Sequence, residues 1–187
     1  MLILASASKA RSYLLKKANI SHHVIISDVD EDKFSEENIF KLVDTLSCAK
    51  AKSVAQKILN TKKNNFEQKI SAVLACDSMF EFEGDYFGKP ATAEEAFKRW
   101  TRMSSSSGYL HTGHCLLVRQ FSKSHLDNEF NKIYKEVIST KIHFSEMNKK
   151  DICDYIDTQE PMKCAGGFAL EGIGAMFIKK IEGCYSN

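Results

Sequence analysis

Two charged residues in the middle of the chain, Asp77 and Lys89, could take part in catalysis or in ligand binding. A nearly unbroken apolar run at 70–76 predicts a strand buried on both faces, and Asp77 follows it directly. A carboxylate at the end of a buried strand is costly unless it is paired or has a function. Residues 79–85 predict a hairpin whose return arm leads to Lys89, which would bring that ammonium towards Asp77. This pair suits a metal and a phosphate, and it equally suits an ion pair that caps the strand.

A second candidate site is the turn after the first predicted strand. Ser6 and Ser8 lie in a tight polar turn before a helix predicted from about Lys9 to Ala18, with Ser8 as its N-cap. Free backbone N–H groups at such a position bind anions. Lys9 and Arg11 oppose the helix dipole, so a nearby anion would explain them. The alternative is an ordinary connecting turn between a strand and a helix, and the turn by itself favours this alternative.

Two further charged features follow along the chain. Residues 28–32 hold four carboxylates after a predicted strand at 23–27, where sites in α/β folds gather. A solvated acidic loop is the alternative. In a helical region predicted at 35–59, Lys50 occupies one place of an apolar stripe that recurs every four residues. Its ammonium either extends to the rim of the buried face or reaches an anion in a cleft.

Composition limits the class of protein. The chain has 187 residues, of which 43% are hydrophobic, which predicts one domain over 1–187 with room for two lobes. A formal net charge of +2 gives no indication of nucleic-acid binding. We expect no membrane span and no signal peptide, because the apolar runs are short and the first residues lack a basic leader. The six cysteines form no C-x-x-C pair and lie mostly in apolar runs, which is typical of reduced cytoplasmic proteins.

The other predicted elements complete an alternation of strands and helices. Two histidines, His111 and His114, would face opposite sides of a strand, so they do not predict a metal pair. We expect a helix from Thr92 to about Met103, followed by strands at 109–121 and 131–144 that are joined around 122–128. A second helix, capped by Ser145, should end near Thr158. A glycine cluster at 163–174 and a last strand at 175–181 complete the chain.

Six motifs occur in a fixed order along nearly the whole chain. They are L-I-L-A-S-A-S-x-x-R at 2–11, S-D-V-D-E at 27–31, A-K-A at 49–51, C-D-S…G-K-P at 76–90, T-G at 112–113 and E-P-M-K-C-A-G-G-F…E-G-I-G at 160–174. Each motif is weak by itself. With this order and spacing, the chain resembles the Maf family of nucleotide pyrophosphatases, also called septum formation inhibitors. The segment from Cys76 to Pro90 and the later R-W pair most resemble the actinobacterial branch of that family.

The resemblance implies both a fold and an activity. The fold would be α/β and elongated, with a two-lobed mixed sheet flanked by helices and a central cleft (Maf/ITPase-like). The activity would be hydrolysis of nucleoside triphosphates, including non-standard ones, to a nucleoside monophosphate and pyrophosphate. A divalent cation, Mg²⁺ or Mn²⁺, would be the cofactor. The family also implies a cytoplasmic protein that can form a homodimer.

The resemblance also implies roles for individual residues. Asp77 matches the catalytic carboxylate, and Glu31 matches an acid that would share the metal with it. Phosphoryl transfer depends mainly on neutralising charge and positioning the phosphate, which positive side chains and a helix N-terminus can do. The residues that match phosphate-binding positions are Ser6, Ser8, Arg11, Lys50 and Lys89.

Three positions separate the family's subgroups, and this chain matches neither subgroup at all three of them. One subgroup, acting on dTTP and UTP, has Arg, Thr and Gln where this chain has Ala10, Ser78 and Glu171. Another, acting on 7-methyl-GTP, has Trp, Gln and Glu there. Glu171 favours the second subgroup, because a carboxylate can accept hydrogen bonds from a guanine edge. The nucleobase stays unassigned.

A regulator without turnover is the alternative function. It would bind a nucleotide and act on cell division. Two features motivate it: Lys9 and Ala10 replace the usual proline and arginine of the first turn, and the sequence stops at Asn187, where the family usually continues into a final helix. An apolar face left uncovered there would weaken stability or dimer packing.

Overall fold

The protein has a mixed α/β fold in the computed structural model, which describes residues 1–36, 38–61, 69–120 and 129–187. In these residues the strands are β1 (Leu2–Leu4), β2 (His22–Val24), β3 (Ala72–Phe82), β4 (Asp85–Phe87), β5 (Ser107–Val118), β6 (Lys132–Phe144) and β7 (Ile178–Glu182). The α-helices are α1 (Lys9–Lys17), α2 (Ile39–Asn60), α3 (Ala93–Met103) and α4 (Lys149–Asp157). Within the described ranges, no helix has both the length and the apolar character that crossing a membrane requires.

The strands form one mixed sheet. Their order is β2-β1-β3-β5-β6-β7, and β4 pairs with β3 beside that path. Strand β1 runs parallel to both of its neighbours, with Leu2 opposite His22 on one side and Ala72 on the other. The pairs β3–β4 and β6–β7 are antiparallel. The predicted mixed sheet flanked by helices is therefore confirmed.

The chain divides into two compact units. Unit 1 consists of Met1–Asp77 and Gly113–Val137, and unit 2 consists of Ser78–Thr112 and Ile138–Asn187. Strands β3, β5 and β6 contribute residues to both units. The prediction of a single domain over 1–187 stays a prediction.

Unit 1 is built on an aliphatic core under the long helix α2. Asn38 begins this helix, because its side chain accepts hydrogen bonds from the amides of Phe40 and Lys41. The predicted apolar stripe is confirmed as buried, and its members are Leu42, Leu46, Val54 and Ile58. The core side chains of β1 and β3, including Ile3 and Val73, belong to the same unit. Helix α2 is thus held in place along its length by burial of one face.

Unit 2 is built on an aromatic core. Trp100 of α3 is fully buried, with ring centroids 5.3 Å from Phe144 and 5.4 Å from Tyr155, both in edge-on arrangements. Its indole N–H donates to the carbonyl of Gly167 at 3.0 Å. A buried indole needs such a partner, so this bond ties the glycine-rich segment to the core.

The predicted strand and hairpin arm around Asp77 are one continuous strand. The apolar run from Ala72 onward and the alternating residues after it both belong to β3, so Asp77 lies within a strand and the prediction that it follows one is wrong. The pattern changes from continuous to alternating there without a turn residue to break the strand. The predicted hairpin is confirmed: Glu83 and Gly84 have φ of 51° and 84°, which a tight two-residue turn requires.

Other boundaries differ in ways that local chemistry explains. Helix α4 is capped by Asn148 and not by Ser145, because Asn148 and Asp151 form a reciprocal capping box. Residues 175–177 belong to the 3₁₀ turn Ile173–Phe177, so the last strand begins later than predicted. The predicted connection at 122–128 lies outside the described residues.

The approach of α2 to β5 makes Gly113 a test of this packing. A Cβ at Gly113 would lie 2.2 Å from the carbonyl oxygen of Val43 in α2. Because that atom belongs to the backbone, Gly113→Ala must displace the helix. We expect a loss of about 1–3 kcal/mol in the free energy of unfolding, read as a lower Tm.

Gly88→Ala is the control for that substitution. A Cβ at Gly88 would meet the sulfur of Met79 at 3.7 Å, which is ordinary contact. Its Tm should stay close to that of the unchanged protein. Equal melting temperatures for Gly113→Ala and Gly88→Ala would contradict the proposed close approach.

Candidate active site

The turn between β1 and α1 is organised by one arginine. Ser8 caps α1, and its hydroxyl accepts from the Arg11 amide at 3.4 Å. The Arg11 guanidinium donates to the Ser6 hydroxyl at 3.0 Å and to the Cys76 carbonyl of β3 at 2.6 Å. Arg11 therefore fastens the turn to the strand residue that precedes Asp77.

A buried lysine joins the two candidate acids. The Lys50 ammonium lies 2.5 Å from Oδ1 of Asp77 and 2.7 Å from Oε1 of Glu31. The side chains of Lys50 and Asp77 are 12% and 8% exposed, whereas that of Glu31 is 56% exposed. Lys50 thus reaches two carboxylates from the apolar stripe of α2. Whether it also binds an anion in a cleft stays a prediction.

The environment of Asp77 changes its acidity. Burial raises the pKa of Asp77 above its ordinary value, because the charged form loses hydration. The Lys50 ammonium opposes this rise in pKa through its charge and its hydrogen bond, and the Glu31 carboxylate adds to the rise. The Arg11 charge also lowers the pKa of Asp77. Asp77 is therefore a stronger base than an exposed aspartate, while three charged neighbours set how far its pKa moves.

The acidic segment at 28–32 is partly neutralised by lysines. Asp28 pairs with Lys57 of α2, and Asp30 pairs with Lys33 at 3.3 Å. Glu31 begins a short 3₁₀ turn, Glu31–Lys33, and its carboxylate reaches Lys50. The acidic run is thus more than a solvated loop, since two of its members contact α2.

The donor set fits a divalent cation that also binds the substrate. No group of three or more His, Cys, Asp and Glu suited to a metal occurs in the described ranges. Glu31 and Asp77 offer two carboxylates directed at one cationic centre. Mg²⁺ is usually held by one or two carboxylates together with substrate phosphates, so a pair of acids is sufficient protein ligation.

An open pocket of about 450 Å³ borders the same turn in unit 1. Its lining combines three hydroxyl groups, two ammonium groups and an exposed aromatic ring, from Ser6, Ala7, Ser8, Lys9, Ser12, Tyr13, Lys16 and Val24. The motif analysis missed Ser12, Tyr13 and Lys16. Their spacing at i+3, i+4 and i+7 from Lys9 placed them on one helix face and could have identified them.

The remaining predicted residues are described with the unit to which they belong. Ala10 lies on α1 in unit 1. In unit 2, the Ser78 and Thr112 hydroxyl oxygens lie 2.8 Å apart. Lys89 and Glu171 also lie in unit 2. Burial raises the pKa of the Cys164 thiol, the Glu171 charge adds to that rise and the Lys89 charge opposes it. The predicted approach of Lys89 to Asp77 joins residues of different units and stays a prediction.

The residues that hold the glycine-rich segment were missed. Glu160 accepts hydrogen bonds from this segment, and Arg99 donates to the Gly88 carbonyl, to which Gly166 of the segment also donates. The sequence analysis included Glu160 in the motif at 160–174 without assigning it a role. A carboxylate directly before a proline and a glycine-rich stretch was the available signal.

Removing the Lys50 ammonium should raise the pKa of Asp77 further. Lys50→Met keeps the length of the side chain and removes the charge that favours ionised Asp77. The pKa of the Asp77 carboxyl, followed by NMR titration of its side-chain carbon, should move upward. The protonated fraction of Asp77 at neutral pH should increase accordingly.

Lys52→Met is the matched control, because it removes the same charge from an exposed position of α2. It should leave the pKa of Asp77 within a few tenths of a unit. An Asp77 pKa that does not rise in Lys50→Met would show that the ion pair does not control its ionisation.

Comparison with known proteins identifies the family. The model for the family described as Maf-like protein matches residues 1–187. A nucleoside triphosphate pyrophosphatase of Prochlorococcus marinus (strain SARG) is 49% identical over 189 residues, covering 100% of this chain and 89% of that protein. Proteins of the same name from P. marinus (strain MIT 9301) and Synechococcus sp. (strain CC9311) are 46% and 42% identical, covering 100% of this chain and 93% and 92% of theirs.

These three relatives are cyanobacterial, so they give no support to the expected resemblance to the actinobacterial branch. The match to the family model extends from the first residue to the last. The chain belongs to the Maf family.

Proposed function

We propose that this protein is a nucleoside triphosphate pyrophosphatase, a hydrolase acting on acid anhydrides that releases a nucleoside monophosphate and pyrophosphate. The observation that carries the proposal is the contact of Lys50 with both Asp77 and Glu31, beside the turn fastened by Arg11. The names of the full-length relatives support the same activity.

Positive charge in unit 1 would bind the triphosphate. The N-terminus of α1 supplies backbone N–H groups, and Arg11 and Lys50 supply positive charge. Ser6 and Ser8 supply hydroxyl groups at the same turn. Such groups stabilise the charge that spreads over the transferred phosphoryl group, and this electrostatic term dominates in phosphoryl transfer.

Asp77 would act as the general base. Its raised pKa brings it nearer to the operating pH, which improves proton abstraction from an attacking water. Lys50 keeps a sufficient fraction of the Asp77 carboxyl ionised. The water would attack the α-phosphorus, the α–β phosphoanhydride bond would break, and pyrophosphate would leave.

Glu31 and Asp77 would hold Mg²⁺ or Mn²⁺. A bound divalent cation would neutralise phosphate charge and orient the triphosphate. In its presence, Lys50 could exchange its carboxylate contacts for a phosphate oxygen, since its ammonium has three donors.

Three of the predicted residues lie in unit 2. Lys89 would bind a second phosphate group, and Ser78 and Glu171 would contribute to the choice of nucleobase. Ala10, which lies in unit 1, would affect the choice of nucleobase because it lacks a side chain that could stack on or pair with a base. Non-standard nucleotides are included in the proposed substrate class.

The cellular setting is part of the same proposal. All six cysteines of the chain lie in described residues and are free thiols, which favours a reducing compartment such as the cytoplasm. A homodimer stays a prediction.

Asp77→Asn should abolish most of the pyrophosphate release. The amide keeps the shape of the side chain and cannot accept the proton, so the rate should fall by about 10²–10⁴-fold. The measurement is pyrophosphate release from a panel of canonical, methylated and deaminated triphosphates with Mg²⁺ or Mn²⁺.

Asp154→Asn is the control for this loss, because Asp154 is exposed and pairs with Lys150 on α4. It should keep full activity. Turnover of Asp77→Asn within a few-fold of the unchanged protein would overturn the role of Asp77. Tight binding of a nucleotide with no product over the whole panel would favour a regulator that does not turn over.

Glu31→Gln should weaken activation of pyrophosphate release by the divalent metal. Chelation should stop pyrophosphate release by the unchanged protein, and Mg²⁺ or Mn²⁺ should restore it. In Glu31→Gln, the metal concentration for half-maximal rate should rise by about tenfold or more. The loss should be recovered at high metal concentration, because Asp77 and the substrate phosphates remain.

Asp32→Asn removes one charge from the same acidic segment and serves as the comparison. Its metal response should match that of the unchanged protein. An equal shift in both variants would mean that Glu31 acts only through general negative charge.

A further inference from the structure

One carboxylate in unit 2 holds the glycine-rich loop that carries Glu171. Oε1 of Glu160 accepts from the Tyr155 hydroxyl at 2.8 Å and from the Gly174 amide at 2.8 Å. Oε2 accepts from the Ile173 amide at 2.9 Å. Both oxygens are therefore used, and two of the three donors are backbone amides directly after the Glu171–Gly172 pair.

The two glycines of this loop permit the close approach. A Cβ at Gly172 would lie 2.2 Å from Oε2 of Glu160, and a Cβ at Gly174 would lie 2.4 Å from the Tyr155 hydroxyl oxygen. Only a residue without a side chain fits at either position without displacement. The glycines thus serve the contact with Glu160, and the loop is seated directly on its carboxylate.

The loop is connected to the neighbourhood of Lys89. The Gly166 amide donates to the Gly88 carbonyl at 3.3 Å, one residue before Lys89. Burial raises the pKa of the Cys164 thiol, the charges of Glu160 and Glu171 raise it further, and the Lys89 charge lowers it. Glu160 therefore anchors a region that carries one proposed phosphate ligand and one proposed base-reading acid.

An exposed carboxylate on a loop discriminates poorly unless its backbone is fixed. Glu171 is exposed and lies in a turn, so its own packing does not hold it. Hydrogen bonds to charged acceptors are among the strongest in proteins, and two of them fix the backbone that follows Glu171. The hydroxyl of Tyr155, a residue that is 1% exposed, also donates to the Glu160 carboxylate, and the two backbone amides are the contacts that fix the loop.

We propose that Glu160 is a positioning residue for nucleobase discrimination, acting through the loop that carries Glu171. This inference rests on the proposed function. Glu160 itself contacts no substrate in this proposal. Its carboxylate sets where the Glu171 carboxylate meets the N–H groups of a base edge.

The test compares selectivity in four proteins. The ratio of kcat/KM between the best and the worst of GTP, ATP, UTP and CTP is measured for the unchanged protein, Glu160→Gln, Glu171→Ala and the double variant. Glutamine presents N–H groups to backbone N–H donors, so it cannot hold both amides. We expect Glu160→Gln to lose about as much of the ratio as Glu171→Ala, and the double variant to lose no more than either.

Tyr155→Phe is the conservative comparison. It removes the tyrosine hydroxyl and leaves both backbone amides on Glu160. Its selectivity ratio should stay within about twofold of the unchanged protein, although its Tm should fall. Should Glu160→Gln fail to fold, Gly172→Ala places a Cβ against the Glu160 carboxylate, which must move from its present position, and this variant should lose the same selectivity.

Three results would overturn the inference. One is a lower Tm for Glu160→Gln with an unchanged selectivity ratio, which a purely structural residue would give. Another is a full second loss in the double variant, which would make the two residues independent. The third is equal kcat/KM for all four nucleotides in the unchanged protein.

Failure of the proposed function would be seen separately. A protein that releases no pyrophosphate from any nucleotide would end the enzymatic proposal. The ratio of dissociation constants for the same four nucleotides, measured by calorimetry on the same variants, would then decide whether Glu160 controls base selection.

Discussion

A single ammonium group lies between two carboxylates in unit 1, largely withdrawn from water. Taking Lys50 and Asp77 out of solvent costs several kcal/mol per ion, and their mutual attraction offsets this only when the geometry is good. A well-packed apolar pair would serve stability at least as well. The arrangement is therefore better explained by what the charges do than by what they add to stability. Helix α2, the strand β3 and the turn at Glu31 all have to be in place for the three groups to meet.

Much of this region could be predicted from local patterns. The buried run before Asp77, the cap at Ser8 and the lysine in the apolar stripe of α2 each follow from spacing and side-chain chemistry. What the sequence could not show was the continuity of β3 through Asp77, because an apolar run and an alternating run meet there without any residue that marks a break. The partner of Lys50 was equally hidden, since pairing between residues 27 positions apart depends on tertiary structure.

The role of Glu160 illustrates a different limit. In the sequence it stands before Pro161 and indicates only the end of a helix. In the structure it binds backbone amides 13 and 14 residues further along. A side chain that bonds to main-chain groups leaves no complementary side chain in the sequence, so only the glycines at 172 and 174 give any sign of it. Helix caps are also hard to choose from the sequence, because a cap bonds to main-chain amides. Ser145 and Asn148 are both good candidates, and the reciprocal hydrogen bonds between Asn148 and Asp151 decide in favour of Asn148.

One of the three places where the chain passes between the two units is the peptide bond that joins Asp77 to Ser78. Successive residues of an extended strand direct their side chains to opposite faces, so these neighbours occupy separate surroundings despite sharing a bond. Asp77 meets Lys50, whereas Ser78 meets Thr112. A substitution at Ser78 can therefore change the contact with Thr112 while Asp77 keeps its charged neighbours, so adjacent positions of one strand can vary independently of each other.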